Sequence, residues 1–242
     1  MELIFEELDY QETPLGAISL RRRNEPRLDN LLIYEVKLGE EFLMSSLFIE
    51  AEQQLSTLSL AELAKQGHNT DLEIIVGGLG LGYTALAAVE NDNVKQVRTI
   101  DVMQAVISWH QQGMVPIGDV LAKNPRSTLI HDDFFAIAQD QTRQGFLNQE
   151  KVHAVLLDID HSPSHWLNDK NESFYSLIPL QTLSEKIVTG GVFSIWSNEA
   201  PDQKFQNLLQ TVFSEVKAHA IKFKNPYTDV DSTNSVYIAI KA

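Results

Sequence analysis

A glycine-rich loop is the strongest local signal in this sequence. Gly78, Gly80 and Gly82 form a G-x-G-x-G pattern between an apolar run and an alanine-rich helical pattern. Glycines let the backbone turn tightly and approach a ligand, and the N-terminus of a following helix adds free N–H groups. The dinucleotide pattern G-x-G-x-x-G would need glycine at Tyr83, which disfavours a dinucleotide-dependent oxidoreductase. We predict a ligand site here; the alternative is a glycine-rich turn without a ligand.

Acidic residues follow the next two predicted strands. Asp101 lies 19 residues after Gly82, where a carboxylate is expected to accept hydrogen bonds from ribose hydroxyls. It could instead, or also, cap the following helix. After the third strand, Asp132 or Asp133 can accept a hydrogen bond from an adenine amino group, and Phe134 can cover the ring. The alternative there is a helix cap followed by core phenylalanines.

Two carboxylates and a histidine follow the most apolar predicted strand. Asp158, Asp160 and His161 come directly after residues 152–157. Ligands of open parallel sheets bind at the carboxyl ends of the strands. Carboxylates beside buried residues are costly in a core and useful in a site, so we predict a functional cluster here. The alternative is a solvated loop.

The polar segment that follows this cluster is predicted to be a lid. It covers residues 162–172 and contains Pro163 and His165. His161 and His165 are four positions apart, but the segment beside the proline is irregular, so we expect no metal site.

The elements that position these residues follow from hydrophobic patterning. Residues 1–44 alternate apolar and polar side chains between turn signals, which predicts a small antiparallel β-meander. Residues 46–65 repeat apolar side chains at helical spacing. From residue 70 onward strands and helices alternate, which predicts an α/β fold with a doubly wound, mostly parallel seven-stranded sheet. The predicted strands are 72–76, 97–100, 127–130, 152–157, 191–196, 216–223 and 235–240, and the predicted helices are 83–90, 103–111, 134–138, 174–188 and 202–213.

These patterns divide the chain into two units. We expect residues 1–44 to form the β-meander and residues 45–242 to form the α/β domain. The last two strands are separated by a loop and no helix, so we expect them to form an antiparallel hairpin at the edge of the sheet.

Composition narrows the classes of function. The chain has 242 residues, no cysteine and a formal net charge of −14. That charge repels nucleic-acid phosphates and attracts cationic small molecules. Without cysteine there are no disulfides, thiolate metal sites or cysteine nucleophiles. The start lacks a signal-peptide pattern and no apolar stretch approaches 18 residues, so we expect a cytoplasmic protein that binds neither membranes nor nucleic acid.

Taken together, these motifs resemble the S-adenosylmethionine-dependent methyltransferase fold (Rossmann-type, class I), and within it the spermidine synthases, which are polyamine aminopropyltransferases. The glycine loop, Asp101, the Asp133 region and the closing hairpin carry the resemblance. The segment 10–16 is similar to the opening strands of that family. Phe174-Tyr175 and the segment 189–193 match its Phe-Tyr and Pro-Gly-Gly-(apolar)-Phe segments.

The resemblance implies a function and assigns roles. It implies transfer of an aminopropyl group from decarboxylated S-adenosylmethionine, used as a co-substrate with no permanently bound cofactor, to a polyamine. It also implies a homodimer paired through the meander. Asp158 matches the family aspartate that binds and deprotonates the attacking amine. The assigned substrate-binding residues are Asp160, His161, Glu50 and Tyr175, and the assigned nucleoside-binding residues are Gly78, Gly80, Gly82, Asp101, Asp132, Asp133 and Phe134.

The sequence departs from the family on the acceptor side. Leu81 replaces the loop aspartate that positions the aminopropyl group, and Glu50 and Ala51 replace a tyrosine and a histidine. The family's second strand ends Glu-Ile-Asp; Asp101 matches the glutamate and Met103 replaces the aspartate. His161 replaces the second aspartate of the fourth-strand motif unless Asp160 serves there. Two alternatives therefore stay open: a methyltransferase that uses intact S-adenosylmethionine, and a non-enzymatic nucleoside-binding relative.

Glu50 and Glu52 are the residues that could restore amine binding on this side. Both lie at the start of the helix predicted over residues 46–65. For Glu52 the sequence slightly favours a solvated helix face.

Overall fold

The computed structural model describes residues 3–147, 150–228 and 230–242. The N-terminal sheet is a meander of four antiparallel strands in chain order, as the sequence predicts. Two of its strands are long because their alternating pattern persists for nine or ten residues. The strands are β1 (Phe5–Thr13), β2 (Gly16–Glu25), β3 (Leu31–Leu38) and β4 (Glu41–Ser45), and a short 3-10 helix, Pro26–Leu28, joins β2 to β3.

The remaining described residues form a seven-stranded mixed sheet with helices on both faces. The strands are β5 (Leu72–Gly77), β6 (Val94–Asp101), β7 (Ser127–His131), β8 (Val152–Leu157), β9 (Ile187–Ser197), β10 (Glu215–Phe223) and β11 (Ser232–Ile240). The helices are α1 (Glu50–Lys65), α2 (Tyr83–Val89), α3 (Gln104–Gln111), α4 (Gly118–Lys123), α5 (Phe134–Gln139), α6 (Leu177–Glu185) and α7 (Gln203–Gln210), with a 3-10 helix at Asp169–Phe174.

The order of the strands confirms the predicted doubly wound fold. It runs β10-β11-β9-β8-β5-β6-β7, with β7, β6, β5, β8 and β9 parallel. The closing hairpin β10–β11 is antiparallel and lies at one edge, as predicted. Strand β8 occupies the centre. Its Ala154 and Leu156 enter one core and its Val155 and Leu157 the other, which explains its continuous apolar run.

Several element boundaries differ from the predictions, and one helix is additional. Helix α1 begins at Glu50 and not at residue 46. The helix predicted over residues 174–188 is split, because Ile187 and Val188 already belong to β9. Periodicity alone does not show where an apolar helix end passes into a buried strand. Helix α4 was not predicted, since six residues give too short a pattern.

The meander packs against the carboxyl edge of the large sheet through three polar contacts. Trp109 Nε1 donates to Asp9 Oδ2 at 2.6 Å. Tyr227, in the loop between β10 and β11, bonds to both Arg23 and Glu25 of β2. His161 Nε2 lies 2.8 Å from Glu41 Oε1 of β4. These contacts place the meander over the strand ends that carry the predicted functional residues.

Among the described residues, none of the helices combines the length and the apolar character needed to cross a bilayer.

Candidate active site

A cavity of about 300 Å³ lies between the meander and the carboxyl ends of the parallel strands. This volume is within the ordinary range for small-molecule sites. The meander supplies an apolar wall, and the sheet and helices supply the polar groups. The lining includes Gly78 and Gly80, Asp101 to Met103, Asp133 to Phe135, Asp158 and Ile159, His161, Glu52, Trp196, and Leu167, Asn168, Lys170 and Asn171.

The glycine loop turns in a way that side chains would obstruct. Gly78 has a φ of 94°, and a Cβ there would lie 2.1 Å from the carbonyl oxygen of Asp158. At Gly82, with a φ of 90°, a Cβ would lie 2.6 Å from Leu121 and 2.7 Å from His110. Gly78 and Gly80 line the cavity, whereas Gly82 lies outside the lining and packs against α3 and α4. Gly82 therefore serves close packing and not ligand approach.

Asp101 holds the glycine loop as well as the start of α3. Its carboxylate accepts hydrogen bonds from the N–H of Leu79 at 2.8 Å and of Met103 at 2.7 Å, and a third from Gly80. Burial raises the pKa of Asp101, and the backbone donors partly offset this. Asp101 is not the N-cap of α3, which is Met103 and has no side-chain cap; it bonds to the N–H of that residue and lines the cavity, where its ribose role stays a prediction.

His110 of α3 also positions the glycine loop. Its Nε2 lies 3.0 Å from the carbonyl oxygen of Gly80, so Nε2 carries the proton and donates it. Burial lowers the pKa of His110, which keeps the ring neutral. The ring therefore fixes the loop through a single hydrogen bond.

The residues after β7 separate into exposed, lining and core positions. Asp133 caps α5, accepting from the N–H of Ala136 at 3.0 Å, and lines the cavity. Asp132 is exposed and lies outside the lining. Phe134 is only 2% exposed; it borders the cavity, and a Cβ on Gly77 would touch its ring at 2.7 Å. Phe134 is mainly a core residue.

Asp158 ends the central strand and faces the cavity. Its N–H donates to Gly77 at 2.8 Å, which fixes the backbone beside the glycine loop. Thr84 Oγ1 donates to Asp158 Oδ2 at 2.6 Å, and Oδ1 has no such partner among the described residues. Burial raises the pKa of Asp158 to about 6.

Glu52 lies in the same cavity, which corrects the expectation of a solvated face. It is 7% exposed, and among the described residues only its own backbone N–H donates to its carboxylate. Burial, reinforced by the negative charge of Asp158, raises the pKa of Glu52 to about 8. Glu50 is exposed, accepts from the N–H of Ile49 and lies outside the lining, so the structure does not bring it to the cavity.

Asp160 and Tyr175 hold the lid and do not line the cavity. The lid loop is the segment predicted over residues 162–172, which begins directly after His161. Asp160 is 3% exposed; Oδ1 accepts from Leu167 N–H and Asn171 Nδ2, both at 2.8 Å, and Oδ2 accepts from Tyr175 Oη at 2.7 Å. Asp160 and Tyr175 thus bond to each other and to the segment after β8, and the structure does not bring these two predicted substrate-binding residues to the cavity. His161 does line the cavity, and its bond to Glu41 ties the lid to the meander.

The carboxyl pair in the cavity makes stability depend on pH. Glu52 and Asp158 bind protons more tightly in the folded chain than at their ordinary pKa values of 4.5 and 3.8. Their contribution to stability is therefore complete below pH 4 and is lost as the pH rises through about 6 to 8. We expect the Tm of the wild type to fall relative to that of Glu52→Gln by several degrees between pH 5 and pH 9. Thermal unfolding of both proteins across that range measures it; parallel curves would contradict the burial of Glu52.

Comparison with known proteins gives the fold. No protein-family model matches the chain, and no curated protein matches it. Among solved structures, a spermidine synthase in complex with the transition state analogue AdoDATO has a TM-score of 0.72 at 14% identity, covering 98% of this chain and 74% of that one. A spermidine synthase from Thermotoga maritima has a TM-score of 0.71 at 14% identity, covering 98% and 73%. Human methyltransferase-like protein 13 in complex with SAH has a TM-score of 0.60 at 14% identity, covering 79% and 82%. The chain therefore has the methyltransferase-like fold that the sequence predicts.

Proposed function

We propose that this chain is a transferase that moves an aminopropyl group from decarboxylated S-adenosylmethionine to the amine of a small molecule. The observation that carries the proposal is a pair of carboxyl groups, buried Glu52 and half-buried Asp158, which line the cavity beside the glycine loop. Neither has an ion-pair partner among the described residues. Two such acids without a cation favour cationic ligands, because a bound ammonium offsets the cost of removing them from water.

The donor fits the polar groups along the sheet edge. Asp133 has a second carboxylate oxygen available for an adenine amino group, and Asp101 lies where ribose hydroxyls are expected. Gly78 and Gly80 allow the sulfonium end to approach the backbone. The donor also ends in a primary ammonium, and we assign this group to Glu52, since Leu81 is apolar and buried.

Asp158 supplies the base. An amine is protonated near neutral pH and must lose a proton before it can attack. Because Thr84 engages Oδ2, Oδ1 of Asp158 is left to hold the acceptor ammonium and accept its proton. The nitrogen lone pair then forms a bond to the propyl carbon next to sulfur, and the carbon–sulfur bond breaks. Its electron pair returns to sulfur, which converts the sulfonium into the neutral thioether of methylthioadenosine.

A methyltransferase is the second candidate, and the likeness to human methyltransferase-like protein 13 favours it. Its donor, intact S-adenosylmethionine, carries one additional carboxylate. That group would meet Glu52 and Asp158, and among the described lining residues Lys170 of the lid loop is the single lysine or arginine. Because Lys170 is exposed, it screens such repulsion weakly. The charge of the cavity thus favours the decarboxylated donor.

Calorimetry with four ligands tests the proposal. The ligands are decarboxylated and intact S-adenosylmethionine and the two transfer products, methylthioadenosine and S-adenosylhomocysteine. We expect the decarboxylated donor and methylthioadenosine to bind more tightly than their carboxylate-bearing counterparts. The reverse order would favour the methyltransferase, and binding without turnover would favour a non-enzymatic nucleoside-binding protein.

Asp101→Ala should weaken binding of every adenosyl ligand. The variant loses the ribose acceptor and the hydrogen bonds that hold the glycine loop, which together cost about 1–3 kcal/mol. The measurement is the Kd of methylthioadenosine, with Asp132→Ala as the matched control because Asp132 is exposed and outside the cavity. Equal affinities of folded Asp101→Ala and wild type would remove this assignment.

We further propose that the chain forms a homodimer through its meander. The meander is a small sheet, yet it exposes several large apolar side chains. Exposed apolar surface of this kind is typical of protein–protein interfaces. They are Leu3, Phe5, Tyr10, Leu31 and Phe42. Light scattering at micromolar concentration should give a dimer, and Leu31→Glu should shift it to a monomer while Val120→Glu, on α4, should not. A monomeric wild type would contradict the proposal.

A further inference from the structure

We infer that the acceptor is an amine with a single ammonium and an apolar body, and not a diamine or polyamine. The inference rests on the proposed function and narrows its acceptor. The number of cations that the cavity can hold at once depends on how many of its carboxylates are available to bind them.

The proposed reaction leaves no carboxylate of the cavity free for a second ammonium. Among the described residues four carboxylates line the cavity: Glu52, Asp101, Asp133 and Asp158. Asp101 accepts three backbone hydrogen bonds, and Asp133 caps α5 at the adenine end. The remaining two meet the donor ammonium and the attacking amine. A second ammonium on the acceptor would therefore have no carboxylate.

The residues that the meander contributes to the cavity are apolar and offer no polar side chain to a second cation. The meander side of the cavity is lined by Leu15, Ile18, Val36, Leu38, Leu43 and Met44. An ammonium placed against aliphatic side chains loses its hydration without compensation, whereas an alkyl or aryl group is stabilised there by burial. The wall therefore selects an acceptor whose far end is uncharged.

Lys170, and the N–H edge of Trp196 but not its ring face, add to this selection. Ser194 bonds to Ser59 of α1 at 2.7 Å, so Trp196, two residues further along β9, lies on the same face of the sheet. Its Nε1–H is buried and has no partner among the described residues. An indole N–H and an ammonium both only donate, so neither can satisfy the other. Lys170 also lines the cavity and repels a second positive charge.

Matched amines test the inference. With methylthioadenosine saturating, calorimetry compares 1-aminohexane with 1,6-diaminohexane, which has the same carbon chain and one more ammonium. We expect the monoamine to bind at least tenfold more tightly, and to be the better acceptor when decarboxylated S-adenosylmethionine replaces methylthioadenosine. Equal or tighter binding of the diamine would overturn the inference and leave the proposed function standing. If methylthioadenosine binds and neither amine does, the proposed function fails and the inference fails with it.

A substitution in the apolar wall tests the same inference by changing the protein instead of the amine. Leu43 is partly exposed, so it tolerates a polar side chain better than the buried wall residues. Leu43→Glu should reverse the preference in favour of the diamine, because it supplies the missing carboxylate. Leu43→Gln, of nearly the same shape, should keep the monoamine preference. An unchanged preference in a folded, nucleoside-binding Leu43→Glu protein would contradict the assignment of this wall to the acceptor.

Discussion

Asp158→Asn should lower the rate of aminopropyl transfer by about 10²–10⁴-fold, the usual cost of losing a general base. The amide keeps the shape of the side chain and an oxygen for Thr84, but it cannot accept the proton of the attacking amine. Affinity for methylthioadenosine should change little, since that ligand lacks the amine. Single-turnover rates, methylthioadenosine affinity and thermal unfolding of the same variant measure the three effects.

The competing view makes Asp158 a residue that only supports the fold. It predicts a lower Tm and unchanged turnover per folded molecule. Asp160→Asn is the matched control, because Asp160 lies two residues away, outside the cavity lining, and holds the lid through both of its oxygens. That variant should unfold at a lower temperature and keep its rate at saturating amine. Full activity of Asp158→Asn would remove the proposed mechanism.

Glu52→Gln is expected to have the second largest effect, on donor binding. Removing one partner of a buried charge pair typically costs 2–5 kcal/mol, so the Kd of decarboxylated S-adenosylmethionine should rise by roughly 10²-fold. Methylthioadenosine has no aminopropyl ammonium and should bind as it does to the wild type. The ratio of the two affinities, measured by calorimetry, therefore isolates the charge pair from any general damage to the nucleoside site.

The neighbouring glutamate provides the control for this experiment. Glu50→Gln changes the same atoms two residues away, on an exposed side chain outside the cavity. It should leave both affinities unchanged. If Glu50→Gln and Glu52→Gln weaken the donor equally, the effect is one of overall charge, and the role given to Glu52 is wrong.

The fold could be predicted because its signals are local and repeated. Strand β8 is apolar on both faces since it lies between two cores, and alternating strand and helix patterns leave few arrangements other than a doubly wound sheet. The positions of Asp101, Asp133 and Asp158 at the cavity follow from the same logic, because each ends or follows a parallel strand.

The acceptor side could not be predicted in the same way. Asp158 and Asp160 are two residues apart and look alike in the sequence, yet one faces the cavity and the other holds the lid. The path of the loop decides this, and it depends on contacts with Leu167, Asn171 and Tyr175.

The burial of Glu52 could have been predicted from its helical spacing, although a charged side chain is normally expected to be exposed. It lies three and four positions before Leu55 and Ser56, on the stripe of α1 that is buried. Trp196 had no such signal, because its place in the cavity depends on how β9 packs against α1.

We propose that this chain cleaves the propyl carbon–sulfur bond of decarboxylated S-adenosylmethionine and passes the aminopropyl group to an amine. The most direct measurement incubates the purified protein with that donor and 1-aminohexane and follows both products by mass spectrometry. We expect methylthioadenosine and N-(3-aminopropyl)-1-aminohexane in equal amounts, and we expect Asp158→Asn to abolish both products. Formation of S-adenosylhomocysteine and a methylated amine from intact S-adenosylmethionine, with no methylthioadenosine from the decarboxylated donor, would contradict it.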